Sequence, residues 1–269
     1  MPQAVPVLVL ALQPYYDILV CTVVIYRRPD APWPLTLAAN RDEMAGRPWR
    51  PPARHWDDHP HVVAGIDEEA GGTWMGVNDD GVVACVLNRP GSLGPSADKR
   101  SRGELPLEAL SHAEAKEAAD ALSHLDGRAY RSFNLVIADA RDAFWVCSEG
   151  DGPVTVEAIP EGISMVTAHD LNDMTAPRIA LHLPKFRAAP MPDPDAGDWF
   201  AWQGLLSARV DGHIDGERVG MTVGDGTGFT TVSSSLVALP GPDRFGDKPI
   251  WLFCAGAPDQ APYEPVDLS

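Results

Sequence analysis

The stretch "CTVVIYRRPDAPWPLTLAANRDE" (Cys21–Glu43) has the pattern of a β-hairpin. Two apolar runs flank a Pro-rich turn, and both contain residues that favour strands. If Tyr26 pairs with Leu35, antiparallel pairing brings Cys21 opposite Asn40, and the polar run "NRDE" emerges beside the thiol. Arginine lowers the pKa of a nearby thiol, and aspartate hydrogen-bonds an amine. The pattern predicts a reaction centre at Cys21, although a small buried cysteine beside a solvated turn fits the same residues.

Further hairpins and a few helices are predicted along the rest of the chain. "TWMGVN" and "VVACVLN" flank "DDG", and "FNLVIAD" and "AFWVCSE" flank "ARD". Later strand runs are "ISMVTA", "TTVSSSLVAL" and "IWLFCAG". The spacing of apolar residues predicts helices over 101–125, 175–186 and 198–209, the first with a capping box at Ser101 and Glu104. Many hairpins with few helices predict an α+β layered domain.

The composition of the chain excludes several classes of function. Its 269 residues, 45% of them hydrophobic, are enough to bury a large core. The net charge of −17 disfavours nucleic acid and anionic membranes as partners. No run reaches the ~20 apolar residues that span a bilayer, and the four cysteines form no CxxC pair. We therefore expect a cytoplasmic protein with a small-molecule substrate or ligand, no nucleic-acid partner and no integral membrane segment. Its oligomeric state stays open.

One histidine-rich loop has the residue types of a metal site. The run "HWDDHPH" contains His55, His59 and His61 together with two aspartates. This loop is rich in proline and lacks the helix or strand spacing that aims several ligands at one point. We therefore predict no metal site, and no resident cofactor is expected.

Five motifs, taken in order, resemble a known family. "LAANRDE" is followed by "RPWRPPARHW", then by "GGTWMGVNDDGVVACVLN", "SRGEL" and "FNLVIAD". Together they are similar to the NRDE, or Transport and Golgi Organization protein two, family over at least Cys21 to Asp139. The later stretch "MVTAHDLND" (Met165–Asp173) departs from the short Ser-Asn-Ala turn of many members. The resemblance implies an N-terminal-nucleophile (Ntn) hydrolase-like fold, which is a four-layer αββα sandwich of antiparallel sheets.

In that fold the nucleophile is the first residue of the mature chain. Its side chain attacks an amide carbonyl while its own α-amine, with an ordinary pKa of about 7.7–8.0, acts as the base. The resemblance implies that Cys21 acts only if residues 1–20 are cleaved as a propeptide or are never made. A GTG start codon at Val20, read as Met and then removed, would expose the cysteine. We expect an upstream extension over 1–20, a single domain over 21–255 and a loose tail over 256–269.

The resemblance also implies roles for two residues near Cys21. Arg41 contacts the substrate, and Asp42 holds the α-amine. An oxyanion hole further requires a donor aimed at the developing negative charge, and the strand-end residues Asn88 and Asn134 are candidates for it. Each of these amides would equally satisfy local backbone groups at the end of a strand.

Three further residues are candidates for substrate binding. Asn40 belongs to the polar run, Trp74 lies within "GGTWMG", and Arg102 offers a positive charge for a carboxylate. Core packing explains Trp74 equally well, and a solvated position in the first turn of a helix explains Arg102.

Two classes of function remain after this survey. One is a cofactor-free amidohydrolase or acyltransferase that acts on a C–N amide bond with Cys21 as nucleophile. The other is a non-catalytic carrier on the same fold, with haem or an acyl ligand as cargo, because eukaryotic members of the family are linked to haem trafficking and membrane organisation. The sequence contains no CxxCH motif for covalent haem attachment.

Overall fold

The computed structural model describes residues 21–210, 213–214, 217–224, 226 and 228–269. The strands are β1 (Thr22–Arg27), β2 (Leu35–Met44), β3 (Trp49–Ala53), β4 (Val62–Asp67), β5 (Met75–Asn78), β6 (Val83–Asn88), β7 (Phe133–Ala138), β8 (Ala143–Ser148), β9 (Thr155–Ala158), β10 (Gly162–Val166), β11 (His213–Ile214), β12 (Glu217–Arg218), β13 (Phe229–Leu239), β14 (Ile250–Cys254) and β15 (Tyr263–Pro265). The helices are α1 (Glu104–Ala109), α2 (Ala115–Ser123), α3 (Pro177–Ala188) and α4 (Phe200–Leu206). The expectation of an upstream extension over 1–20 lies outside the described residues.

Two large antiparallel sheets dominate the fold. The first has six strands in the order β10-β1-β2-β13-β14-β15. The second is a seven-stranded meander in which β3 to β9 follow one another in chain order. A short pair, β11 and β12, stands apart from both sheets. The three predicted hairpins are present as β1–β2, β5–β6 and β7–β8.

Alternating side chains place the two sheets face to face with helices outside. Val23 and Leu37 of the first sheet pack with Val136 of the second in a core between the sheets. On the outer face of the first sheet, Val24 packs with residues of α3 and α4. On the outer face of the second sheet, Leu135 packs with residues of α1 and α2. The period of two along each strand therefore produces the expected four-layer αββα sandwich.

The first hairpin differs from the prediction by one residue in register. Arg27 rather than Tyr26 lies opposite Leu35, so Thr22 faces Asn40 and Cys21 lies just outside the paired segment. The polar run does not leave the sheet, because β13 pairs with β2 as far as its end at Met44. A shift of one position exchanges the two faces of a strand. The register therefore decides which polar side chains accompany Cys21.

The predicted helix over 101–125 is divided into α1 and α2. The capping box at its start is absent, because the N-cap residue is Gly103, which has no side chain to cap the helix, and Ser101 Oγ accepts from Gly103 N–H at 3.2 Å rather than from Glu104 N–H. Glu104 instead accepts a hydrogen bond from the Tyr130 hydroxyl at 2.7 Å and pairs with Arg100 at 2.6 Å. α3 forms as predicted with Pro184 inside it, and α4 ends earlier than predicted. No helix of the described residues is long and apolar enough to cross a bilayer.

The tail over 256–269 is not loose. Its strand β15 pairs with β14, and Val266 N–H donates to the Trp251 carbonyl at 2.8 Å. The Tyr263 hydroxyl lies 2.7 Å from Ser234 Oγ, and Leu268 packs against the core between the sheets. Backbone pairing at a sheet edge and apolar burial hold this segment despite its many prolines. These contacts attach the tail to the first sheet and to the core between the sheets.

Candidate active site

A cavity of about 470 Å³ opens at the start of β1. Six of the eight predicted site residues line it, and these are Cys21, Arg41, Asp42, Trp74, Asn88 and Arg102. The other two, Asn40 and Asn134, do not line this cavity. The fold therefore gathers residues from β2, the β4–β5 connection, β6 and the segment before α1 around one thiol.

Cys21 is partly buried, lies directly before β1 and packs against the core between the two sheets. Its Sγ lies 3.7 Å from the backbone oxygen of Asp42. Burial and the Asp42 carboxylate raise the pKa of the thiol to about 11, and the positive charge of Arg41 only partly opposes this shift. Arg41 therefore lowers the thiol pKa as predicted, but burial and the Asp42 carboxylate outweigh its effect, so the pKa is raised overall. A protonated thiol at neutral pH requires a base before it attacks.

Arg41 lines the cavity together with the thiol and is almost fully buried. Only 5% of it is exposed, and its guanidinium carbon lies 4.1 Å from the centre of the Trp74 ring. Its ion pairs with Glu43 and Asp67 are long, at 3.7 and 3.6 Å. Its Nη1 has no hydrogen-bond partner among the described residues. A buried donor of this kind is costly unless a carbonyl or carboxylate occupies the cavity.

Two close backbone approaches hold Trp74 in the cavity wall. The indole lies directly over Gly65, where a Cβ atom would clash with the ring. Gly72 approaches the backbone of Gly103 so closely that a Cβ would clash there too, and Thr73 N–H donates to the Gly103 carbonyl at 2.8 Å. The motifs "GGTWMG" and "SRGEL" are therefore joined by contact, and the glycines permit it.

Replacing Gly65 with alanine should move Trp74 and, with it, the stacked Arg41. The overpacked methyl group is expected to cost about 1–3 kcal/mol of stability. Intrinsic tryptophan fluorescence and urea unfolding would detect the change. Gly46→Ala is the matched control, since nothing lies within 4 Å of the methyl group it adds. Equal stability of the two variants would contradict the proposed support of Trp74.

Asp42 lies on the opposite face of β2 from Arg41. Its carboxylate accepts a hydrogen bond from Thr231 Oγ1 at 2.6 Å and from Arg178 Nη1 at 3.1 Å. Arg178 Nη1 also donates to Thr22 Oγ1 at 3.0 Å, next to Cys21. Burial raises the pKa of the Asp42 carboxyl, and the charge of Arg178 opposes the rise. This buried pair anchors the start of β1 and the polar run of β2 to α3.

Arg178 was not among the predicted site residues. The feature of the sequence that could have indicated it is a charged residue at the second position of α3, directly before the buried Ile179. Only 3% of Arg178 is exposed, and a charge that deep requires a partner. The sequence places the partner, Asp42, 136 positions away, so pairing is visible only in the fold.

Asn134 has no donor left for an oxyanion. Its Nδ2 donates to the carbonyls of Thr167 and His169, both at 2.9 Å. Its Oδ1 accepts hydrogen bonds from Arg89 and from the Trp145 indole. We therefore leave Asn134 out of the candidate site, since its amide donors bind backbone carbonyls 33 and 35 positions away.

The side-chain amide of Asn40 is also occupied by hydrogen bonds within the fold, whereas Asn88 lines the cavity. Asn40 Nδ2 donates to the carbonyls of Leu206 and Met221 at 3.0 and 2.8 Å, on the helix side of the sheet. Its Oδ1 accepts from Ser234 Oγ at 2.6 Å, so Asn40 is not available to a substrate. Asn88 lines the cavity at the end of β6. It remains the candidate donor to an oxyanion.

The potential metal ligands gather away from the histidine-rich loop. Among the described residues, one group of three places its ligand atoms within 4.8 Å of one another: Cys147, Glu149 and Asp170. Arg89 Nη2 lies 2.7 Å from Glu149 and 2.8 Å from Asp170. A guanidinium already balances the two carboxylates, so the group does not favour a cation.

Comparison with known proteins agrees with this architecture. Residues 20–189 match the sequence profile of the family described as Transport and Golgi organisation 2. The chain belongs to this family. The match includes the thiol, the polar run of β2, both glycine contacts of Trp74 and Arg178, so the whole candidate site lies inside the family's region. No curated protein sequence matches the chain significantly.

Solved structures similar to this family member have the Ntn-hydrolase fold. One is the Caenorhabditis elegans orthologue of N-acylethanolamine-hydrolyzing acid amidase, with a TM-score of 0.55 and 14% identity over 92% of this chain and 100% of that chain. Another is a variant of conjugated bile acid hydrolase from Clostridium perfringens, with a TM-score of 0.53 and 14% identity over 92% and 94%. At this identity the likeness shows the fold alone, and it confirms the predicted sandwich of antiparallel sheets.

Proposed function

We propose that this chain is an Ntn hydrolase or acyltransferase that acts on a C–N amide bond, with Cys21 as the nucleophile. The observation that supports it best is the position of Cys21 at the start of β1, on the wall of a cavity beside the unpartnered Nη1 of Arg41. A chain cut before Cys21 would begin with this thiol and a free α-amine.

The α-amine of Cys21 is the proposed base. It accepts the thiol proton as the sulfur attacks the amide carbon, which needs no histidine. The carboxylate of Asp42 raises the thiol pKa by its negative charge, and the same charge would favour the ammonium form of a neighbouring amine. Asp42 is therefore proposed to support the base from the far side of β2, while Arg178 holds Asp42 in place.

The remaining steps follow from this assignment. The carbonyl oxygen becomes an oxyanion, for which Asn88 and Arg41 Nη1 are the proposed donors. The ammonium returns its proton to the amide nitrogen, the C–N bond breaks, and the amine leaves behind a thioester on Cys21. Water, or an acceptor amine in acyl transfer, then attacks the thioester and releases the acyl group. No cofactor takes part in any of these steps.

The state of the Cys21 nitrogen should decide whether the protein is active. With residues 1–20 attached, this nitrogen is an amide without basicity, so we expect no turnover of N-acyl amides. A site-specific protease site inserted between Val20 and Cys21 allows the full chain to be purified and then cut. Cutting should raise turnover at least about a hundredfold, since general base catalysis contributes on that order.

A second chain, cut one residue earlier, is the control for this experiment. It differs only in keeping one residue in front of Cys21, and we expect it to stay inactive. Intact mass would verify both products. Full activity of the uncut chain would contradict the Ntn mechanism. Ligand binding without turnover by the chain that begins at Cys21 would favour the carrier alternative, with an acyl ligand or haem as cargo.

A further inference from the structure

The wall of the Cys21 cavity is positively charged, although the chain is acidic. Three carboxylates line the cavity with six lysine and arginine side chains, in a protein of net charge −17. The six are Arg41, Arg47, Lys99, Arg100, Arg102 and Arg131. A cleft with the opposite charge to its surroundings concentrates anions. The reversal of charge is therefore a property of the site rather than of the whole surface.

Among the described residues, Arg41, Arg47 and Arg100 pair with carboxylates, whereas the other three cations do not, and one of these, Lys99, donates to the Arg128 carbonyl at 2.6 Å. Arg47 Nε lies 2.6 Å from Asp67, and Arg100 Nε lies 2.6 Å from Glu104. Within the described ranges, Arg102 and Arg131 form no ion pair with a carboxylate. An uncompensated pair of like charges in one cavity indicates that the missing anion belongs to the ligand.

Neutral acceptors hold both guanidinium groups in place. Arg102 Nη1 donates to Ser92 Oγ at 2.7 Å and to the Ser132 carbonyl at 3.1 Å. Arg131 donates to backbone carbonyls within 91–94. Burial and the neighbouring charge of Arg131 lower the pKa of Arg102 to about 10, so it stays charged at neutral pH. These hydrogen bonds fix the position of each guanidinium group without cancelling its positive charge. Each guanidinium group also keeps further N–H donors for a ligand.

We propose that Arg102 and Arg131 bind an anionic group of the amide substrate, either a carboxylate or a phosphate. This inference rests on the proposed function, because it assigns the substrate class of the Cys21 cavity. Arginine forks bind both groups through paired hydrogen bonds. The sequence prediction for Arg102 was a carboxylate contact, and the structure adds Arg131 as its partner.

Equilibrium binding to a chain that cannot turn over tests the inference. The full-length Cys21→Ala chain, before and after protease cutting, is titrated calorimetrically with three decanoyl amides. Their amine portions are ethanolamine, glycine and O-phosphoethanolamine, which end in a neutral hydroxyl, a carboxylate and a phosphate. At least one anionic amide should bind about tenfold or more tightly than the neutral one. The tighter anion identifies the group that the site accepts.

Charge-matched variants assign the preference to the two arginines. Arg102→Gln and Arg131→Gln should each remove most of the preference for the anionic amide. Arg102→Lys should retain only part of that preference. Arg128→Gln is the control, because Arg128 pairs with Asp126 on the exposed surface and does not line the cavity. Because Arg102 is mostly buried, thermal unfolding verifies each variant, and Arg131→Gln alone suffices if Arg102→Gln does not fold.

The outcomes separate this inference from the proposed function. Equal affinity for all three amides, or no binding of any, overturns the anion site. Retention of the preference in both glutamine variants overturns it as well. Tight binding of an anionic amide, with no hydrolysis by the cut chain that has Cys21, contradicts the proposed catalysis and leaves the anion site standing.

Discussion

Replacing Cys21 with alanine in the cut chain should reduce turnover of N-acyl amides by at least about 10⁴-fold. The nucleophile and the base belong to one residue, but alanine keeps the α-amine. The loss of turnover therefore measures the contribution of the thiol alone. The fold should persist because Cys21 lies outside the paired part of β1 and is only partly buried. Steady-state rates and circular dichroism measure the two effects.

Cys85→Ala is the matched control for the nucleophile. Cys85 lies in β6 and, together with Cys21, lines a small inner cavity that is separate from the 470 Å³ cavity, but it is buried within the core. Burial raises its thiol pKa further than that of Cys21, so it is a poor nucleophile. This variant should keep turnover within a few-fold and lose some stability through the gap it leaves. Equal turnover by Cys21→Ala would exclude the Ntn mechanism.

Replacing Arg178 with methionine should destabilise the domain by about 3–5 kcal/mol, as expected when one partner of a buried ion pair is removed. The Asp42 side chain would remain fully buried, with its hydrogen bond from Thr231 but without the charge of Arg178. Urea unfolding of the cut chain measures the change. Activity should fall as well, because α3 would no longer anchor the residues beside Cys21.

Two comparisons give this prediction its control. The double variant Asp42→Asn with Arg178→Met removes both charges of the pair, and much of the lost stability should return. Arg209→Met breaks the more exposed pair with Asp259 and should have a much smaller effect, since solvent screens that pair. A small effect of Arg178→Met alone would show that the buried pair is not structural.

The pairing of Asp42 changes what the sequence suggested for it. Its predicted role was to hold the α-amine, for which Asp42→Asn would slow acylation with little loss of stability. In the fold, this change would leave Arg178 buried with a neutral partner. We therefore expect Asp42→Asn to lower both activity and stability, and rates must be compared at equal folded fractions.

Local pattern in the sequence was enough for the fold class. Alternating apolar residues and turn residues between paired runs predicted the hairpins and an α+β layered domain, whereas the four-layer sandwich was implied by the family resemblance. These signals depend on near neighbours in the chain, which is why they are visible without a structure. Six of the eight predicted site residues line the cavity, because "NRDE", "GGTW" and "SRGEL" lie near strand ends and in connections.

Register, pairing and net electrostatics were decided by the tertiary structure alone. The one-residue slip of the hairpin put Arg41 on the side of Cys21 and turned Asn40 and Asp42 towards the helices. The pairing of Asp42 with Arg178 and the burial that raises the thiol pKa both depend on elements distant in sequence. Desolvation and long-range contacts arise only when the layers pack. The residue types in the sequence therefore indicated the chemistry, whereas the packing of sheets and helices determined which face each side chain occupies and which partner it contacts.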